Sequence, residues 1–220
     1  MIDFRFDGPP GVAAQIVLTH GAGAPMDDPF LEAIAGGLAT SGLCVARFEF
    51  PYMAARRATG TRKGPDRAPV LLATWRAAVA ELGGGGALVI GGKSMGGRIA
   101  SMVADEVGAR GLVCLGYPFH PPRRPEQLRT AHLASLRTPT LIVQGTRDPF
   151  GTPDEVAGYT LSPSIRIEWI EDGDHSLVPR RRSAQRAAAE RSPSGSASGR
   201  TRAQNLQAAI EVVASFVASL

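Results

Sequence analysis

The sequence predicts an α/β protein built on a doubly wound, mostly parallel sheet. Three observations carry this reading. Short apolar runs alternate with longer helix-like stretches along most of the 220 residues. Several of those runs are nearly continuous in Val, Ile and Leu, as strands buried on both faces are. Strand followed by helix, repeated, implies right-handed crossovers, which put helices on both faces of one sheet. A chain of this length buries a substantial core, and we expect a single domain over 1–220.

Taken in order, strands are expected at 2–6, 15–19, 44–50, 87–91, 111–115, 140–144 and 165–170. Helices are expected at 29–41, 69–82, 94–107, 126–135, 153–159 and 201–219. The four glycines at 83–86 form a flexible connection into the fourth strand. Segment 180–200 is rich in Arg, Ser, Ala and Gly. We expect a mobile surface loop there, with a short helix through 184–190. In such a sheet, ligands sit beyond the C-terminal ends of the strands, so the loops at those ends should carry the chemistry.

Bulk properties exclude several classes. The apolar fraction of 44% is ordinary for a globular protein. No apolar run approaches the ~20 residues that a membrane span needs. The opening MIDFRFDGPP has no basic stretch followed by an apolar one, so no signal peptide is expected and the reading is cytoplasmic. Cys44 and Cys114 lie in or beside apolar runs and match no zinc-ligand spacing, which suits buried, reduced thiols. The net charge is +4, yet segment 180–202 alone holds seven Arg and one Glu, leaving −2 for the rest. The basicity belongs to one segment, no nucleic-acid motif accompanies it, and no nucleic-acid partner is expected.

The fourth expected strand runs into Gly92-Lys93-Ser94-Met95-Gly96-Gly97 and then a helical stretch. This is G-x-S-x-G at a strand-to-helix turn. Such a turn holds the serine in a strained backbone and pushes its hydroxyl outward. Side chains two residues to either side would collide with neighbouring elements, hence the glycines. The following helix presents Ala100 and Ser101 for close packing, and its positive end adjoins Ser94. A phosphate-binding reading of Gly92-Lys93-Ser94 fails. It needs a glycine where Ala87 stands, and a loop where Leu88-Val89-Ile90 reads as strand.

A serine on this turn needs a base, and in the α/β-hydrolase fold the chain order is Ser, acid, His. His20 precedes Ser94. His120 follows it with no acid-bearing strand end between, and His132 lies in a helical stretch. His175 sits just beyond the last strand, in Glu171-Asp172-Gly173-Asp174-His175. Asp148 follows the strand at 140–144 by a few residues. Asp154 falls on the next helix, and Asp172 and Asp174 read as turn residues. Ser94 is therefore the expected nucleophile, His175 the base and Asp148 the acid that orients it. The oxyanion hole should combine the N–H of Met95 with one from Ala22 or Gly21, in the small-residue loop after the second strand. His20 is expected to brace that loop.

The stretch 117–138 holds 22 residues, four of them Pro, enough for a short helix but no large lid. Arg56, Arg57, Arg62, Lys63 and Arg67, in a long loop after 44–50, with Arg123 and Arg124, should lie on the site face. They form either a solvated surface or an attractor of acidic substrates.

Together, Leu18-Thr19-His20-Gly21-Ala22-Gly23, Phe50-Pro51-Tyr52-Met53, Gly91-Gly92-Lys93-Ser94-Met95-Gly96-Gly97-Arg98, Gly116-Tyr117-Pro118-Phe119-His120-Pro121-Pro122, Gln144-Gly145-Thr146-Arg147-Asp148 and Gly173-Asp174-His175-Ser176 resemble the KANSL/testis-expressed-type α/β-hydrolase-like family. The chain is more distantly similar to dienelactone hydrolases, which use Cys where Ser94 stands. The resemblance implies the α/β-hydrolase fold and the same triad. Family members include bacterial hydrolases and a subunit of a chromatin acetyltransferase complex in which the domain acts as a scaffold. This sequence departs in its shortened N-terminal strands and its Arg/Ser-rich insertion after His175. The expected activity is cleavage of an ester or thioester of a small or exposed acyl substrate, with no metal or organic cofactor. A non-catalytic interaction module is the alternative.

Overall fold

The computed structural model describes residues 1–13, 15–180 and 200–220. The loop expected over 180–200, and the helix expected within it, lie outside these residues apart from the two ends. Seven strands are present among the described residues: β1 (Phe4–Asp7), β2 (Ile16–Thr19), β3 (Val45–Phe48), β4 (Val89–Lys93), β5 (Gly111–Leu115), β6 (Thr140–Gly145) and β7 (Ile165–Ile170). They form one sheet in the order β1-β3-β2-β4-β5-β6-β7. All neighbours are parallel except β1, which runs antiparallel to β3 at the edge.

Side-chain alternation divides the core into two layers. Ile16 and Leu18 of β2 face α1 (Pro29–Thr40) and the C-terminal helix, together with Val45, Val89 and Val113. Val17, between them, faces the other side with Phe48, Ile90, Leu112 and Cys114. There α3 (Ala68–Glu81) brings Leu71 and Trp75, and α4 (Met95–Ser101) brings Ile99 and Ala100. A residue slip of one on β2 would exchange these faces, so the register is strongly specified. Both cysteines are buried and unpaired among the described residues. The remaining helices are α2 (Pro51–Thr59), α5 (Pro153–Val156) and α6 (Arg202–Ala218). No helix among the described residues is long and apolar enough to cross a membrane.

Several expectations need correction, among them the helix expected over 153–159, which ends at Val156, and the glycine connection at 83–86, where Gly85–Ala87 forms a 3-10 turn. The stretch after 44–50 is not all loop, because α2 occupies its first nine residues. Its signals are legible: Pro51 at the first helical position, and Gly60 closing the helix with φ 71°. The helix expected over 126–135 is reduced to a 3-10 turn at Ala131–Ser135. Upstream, Arg129 donates its N–H to the Phe119 carbonyl and its carbonyl accepts from Tyr117 Oη, so neither serves a helix. The helix expected over 94–107 ends at Ser101. Ser101 Oγ donates to the Arg98 carbonyl at 2.7 Å and takes the acceptor that Met102 N–H would use. The next N–H groups close tighter turns instead.

Candidate active site

β2 has β3 on one side and β4 on the other, so the direction of winding reverses at β2 and β4. A crevice at such a switch point is the natural ligand site in an open α/β sheet. Ser94 follows β4 directly and His20-Gly21-Ala22 follows β2. Asp148 follows β6 and His175 follows β7. Among the described residues no large lid insertion stands above them: between β5 and β6 the 3-10 turn at Ala131–Ser135 is the only regular element.

Ser94 adopts φ 51° and ψ −116°, an unfavourable backbone for a residue with a side chain. Its neighbours make this possible. A Cβ on Gly92 would overlap the Thr19 carbonyl, and one on Gly96 would lie 2.7 Å from both the Thr19 and His20 carbonyl oxygens. The elbow therefore packs backbone against backbone on the end of β2.

The three side chains named from the sequence lie in one chain of hydrogen bonds. Ser94 Oγ is 2.9 Å from His175 Nε2, and His175 Nδ1 is 2.7 Å from Asp148 Oδ2. A carboxylate only accepts, so Nδ1 carries the proton and Nε2 accepts from the serine hydroxyl. Asp148 is fully buried. Its remaining acceptors are filled by Gln144 Nε2 at 2.9 Å and Phe150 N at 2.9 Å. Gln144 also accepts the Tyr117 N–H at 2.7 Å, tying the ends of β5 and β6 together. Sequence reasoning passed over Gln144, although a polar side chain closing the apolar run Leu141-Ile142-Val143 was a signal. Phe150 lies against the imidazole, with ring centroids 4.3 Å apart.

The loop that carries His175 is held from several sides. Asp174 Oδ1 accepts the N–H groups of Ser176 and Val178. Asp172 accepts from Arg147, in the loop that carries Asp148, and Arg147 N donates to the Gly173 carbonyl. Asn205 of α6 donates to the Leu177 carbonyl at 2.8 Å. Asp172 and Asp174 thus act as turn residues.

On the other side of Ser94, His20 is buried and neutral. Burial holds its pKa below the ordinary value. Its Nδ1 donates to the Gly21 carbonyl at 2.7 Å while Nε2 accepts the Phe50 N–H at 3.1 Å. Tyr52 Oη donates to the Ala22 carbonyl at 2.9 Å. The loop is therefore braced from the start of α2. The N–H groups of Gly21, Ala22 and Met95 have no hydrogen-bond partner among the described residues. Ala22 lines both hollows that flank Ser94, while Gly21 lines one and Met95 the other.

Lys93 Nζ donates to the His175 carbonyl and lies 5.0 Å from the Phe30 ring centroid. Burial lowers its pKa to about 8, with Asp148, Asp174 and Asp28 pulling the other way. Between pH 8 and its ordinary value of 10.5, the unfolded chain holds this proton and the folded chain does not. Stability relative to Lys93→Met therefore rises with pH across that window. Denaturant unfolding of both proteins at pH 7, 9 and 10 measures this, and a constant difference would show that the ammonium is not desolvated.

The basic side chains anticipated on this face are placed differently. Arg57 is engaged by Glu49 at 2.6 Å and Asp27 at 2.8 Å. Arg62, Lys63, Arg67, Arg123 and Arg124 are exposed. None of these, nor Arg56, lines the two hollows beside Ser94. Among the described residues, no group of three or more His, Cys, Asp or Glu is placed to hold a metal.

Fold and site together define an α/β hydrolase. The chain belongs to the family described as alpha/beta hydrolase domain, whose model matches residues 12–218. Among solved structures it is similar to dienelactone hydrolase from Anabaena variabilis, at 21% identity and TM-score 0.66, over 99% of this chain and 91% of that one. It is also similar to Est1E from Butyrivibrio proteoclasticus, which was solved with ferulic acid bound, at 13% identity and TM-score 0.68 over 99% and 94%. A third, from Xanthomonas campestris, is described as a serine hydrolase without lid, at 20% identity and TM-score 0.56 over 80% and 81%.

Proposed function

We propose that the protein is a serine hydrolase that cleaves an ester or thioester of a small acyl substrate through an acyl-enzyme. The observation that carries this is the unbroken Ser94–His175–Asp148 hydrogen-bond chain at the switch point of the sheet. Ser94 Oγ attacks the acyl carbon as His175 Nε2 takes its proton. The developing oxyanion is received by the N–H groups of Met95 and of Ala22 or Gly21. The bond to the leaving alcohol or thiol breaks, and His175 returns the proton to that group. Water, deprotonated by the same imidazole, then releases the acid and regenerates Ser94. Asp148 keeps the imidazole in the required tautomer and stabilises its charged form.

Likeness to the dienelactone hydrolase and Est1E folds supports an acyl substrate. The narrower resemblance to the KANSL/testis-expressed-type branch rests on the sequence motifs alone. A fluorophosphonate probe tests the reading. The wild type is expected to label, and Ser94→Ala and His175→Ala are expected not to. A folded wild type that stays unlabelled would reject the proposal and favour an interaction module.

A further inference from the structure

Of the two hollows that meet at Ser94, one is lined by His175 and Lys93. The other, of about 310 Å³, is lined by Ser94, Met95 and two arginines, Arg98 and Arg129. Arg98 lies one helical turn beyond Ser94, about 6 Å along the axis of α4. Its Nε is buried and has no hydrogen-bond partner among the described residues. Neither arginine makes an ion pair among the described residues. Asp66 shares the hollow, but its carboxylate accepts the Tyr52 N–H at 2.9 Å and lies beyond ion-pair distance of both. Two positive charges and one negative therefore leave the hollow net positive.

Like charges brought together without a counter-ion cost free energy, and here the fold holds them in place. The Arg98 carbonyl accepts from Ser101 Oγ at 2.7 Å, and Ser101 Oγ is hydrogen-bonded to His132 Nε2 at 2.8 Å. The Arg129 carbonyl accepts from Tyr117 Oη at 3.0 Å. Burial and the nearby Arg98 charge pull the Arg129 guanidinium below its ordinary value. An anion entering the hollow would relieve that repulsion and pair with the two guanidinium groups. Leu71, Ile99, Pro118 and Phe150 supply apolar walls for the carbons between that anion and Ser94.

The leaving group must collect its proton from His175, which lines the first hollow. The acyl part then falls to the second, where Met95 also stands. We propose that Arg98 and Arg129 form a subsite for a carboxylate at the far end of the acyl chain. The preferred substrates are then half-esters or half-thioesters of short dicarboxylic acids. This rests on the serine-hydrolase reading above.

The test compares phenyl hemiglutarate with phenyl pentanoate at low ionic strength, after subtraction of the uncatalysed rates. The wild type is expected to favour the half-ester at least about tenfold in kcat/KM. Arg98→Gln and Arg129→Gln are each expected to lower kcat/KM for the half-ester about tenfold and to leave the pentanoate within about twofold. Arg129 lies outside α4, so its variant keeps the test valid if Arg98→Gln disturbs the helix. A wild type that labels with fluorophosphonate yet turns over the pentanoate as well as the half-ester would overturn this proposal alone. Preference for 4-carboxyphenyl pentanoate over both would overturn the acyl placement. A wild type that neither labels nor cleaves any of the esters would end both readings.

Discussion

Asp148→Asn is expected to lower kcat for ester hydrolysis about 10⁴-fold while KM changes little. The reason lies in how the carboxylate is surrounded. Oδ2 accepts from His175 Nδ1 and from Gln144 Nε2, and Oδ1 accepts from Phe150 N. An asparagine amide must put its NH₂ on one of these positions. Placed towards His175, it meets two donors and forces the imidazole to give up its Nδ1 proton. The proton then sits on Nε2, which can no longer accept from Ser94. Placed towards Phe150, the NH₂ faces a buried N–H, and that mismatch costs about 1–3 kcal/mol of stability. Ser94→Ala is expected to cost more, about 10⁴- to 10⁶-fold in kcat. On the proposed triad, adding Asp148→Asn to Ser94→Ala should cost almost nothing further. Steady-state kinetics of the two single variants and the double variant measures this. Additive losses would contradict the triad.

The second large effect is expected at the elbow glycines. Gly92→Ala and Gly96→Ala each drive a methyl group into the backbone at the end of β2, where the obstructing atoms are carbonyl oxygens with no rotamer to yield. Each substitution should cost about 1–3 kcal/mol in overpacking. The displacement falls between Ser94 and the loop holding Gly21 and Ala22. A shift of about 1 Å there is enough for roughly a hundredfold loss of rate. Urea denaturation and esterase kinetics on the same samples separate the two contributions. Full activity in a destabilised Gly96→Ala protein would show that the loop and the elbow are not held in fixed register.

Much of this arrangement was legible in one dimension. The alternation of apolar runs and helical stretches anticipated all seven strands, since strands buried on both faces must be apolar nearly throughout. Gly92, Ser94 and Gly96 announced their turn because the backbone there excludes Cβ atoms on either side. Asp148 and His175 stood out because few titratable residues follow strands in the required order. Less legible were elements set by partners distant in sequence. The 126–135 segment has helical composition, yet Phe119 and Tyr117 take the backbone groups of Arg129, and only a short 3-10 turn remains. Helix α2 was marked by Pro51 and Gly60, but its run of Arg and Ala carries a weak apolar pattern.

The sequence by itself determined which residue types could do acyl chemistry and at which strand ends they stand, because chain order and local sterics are both one-dimensional properties. Only the tertiary structure decided how those side chains meet and which charges are free to act. Arg57 is a cation like any other in the sequence, but folding places Glu49 and Asp27 against it. Arg98 and Arg129 lie 31 positions apart in the chain, and folding brings them to the same hollow, with Ser101 of α4 bonded to His132 in the turn at Ala131–Ser135. Electrostatic pairing depends on distance in space, and that distance follows from the packing of elements far apart in the chain.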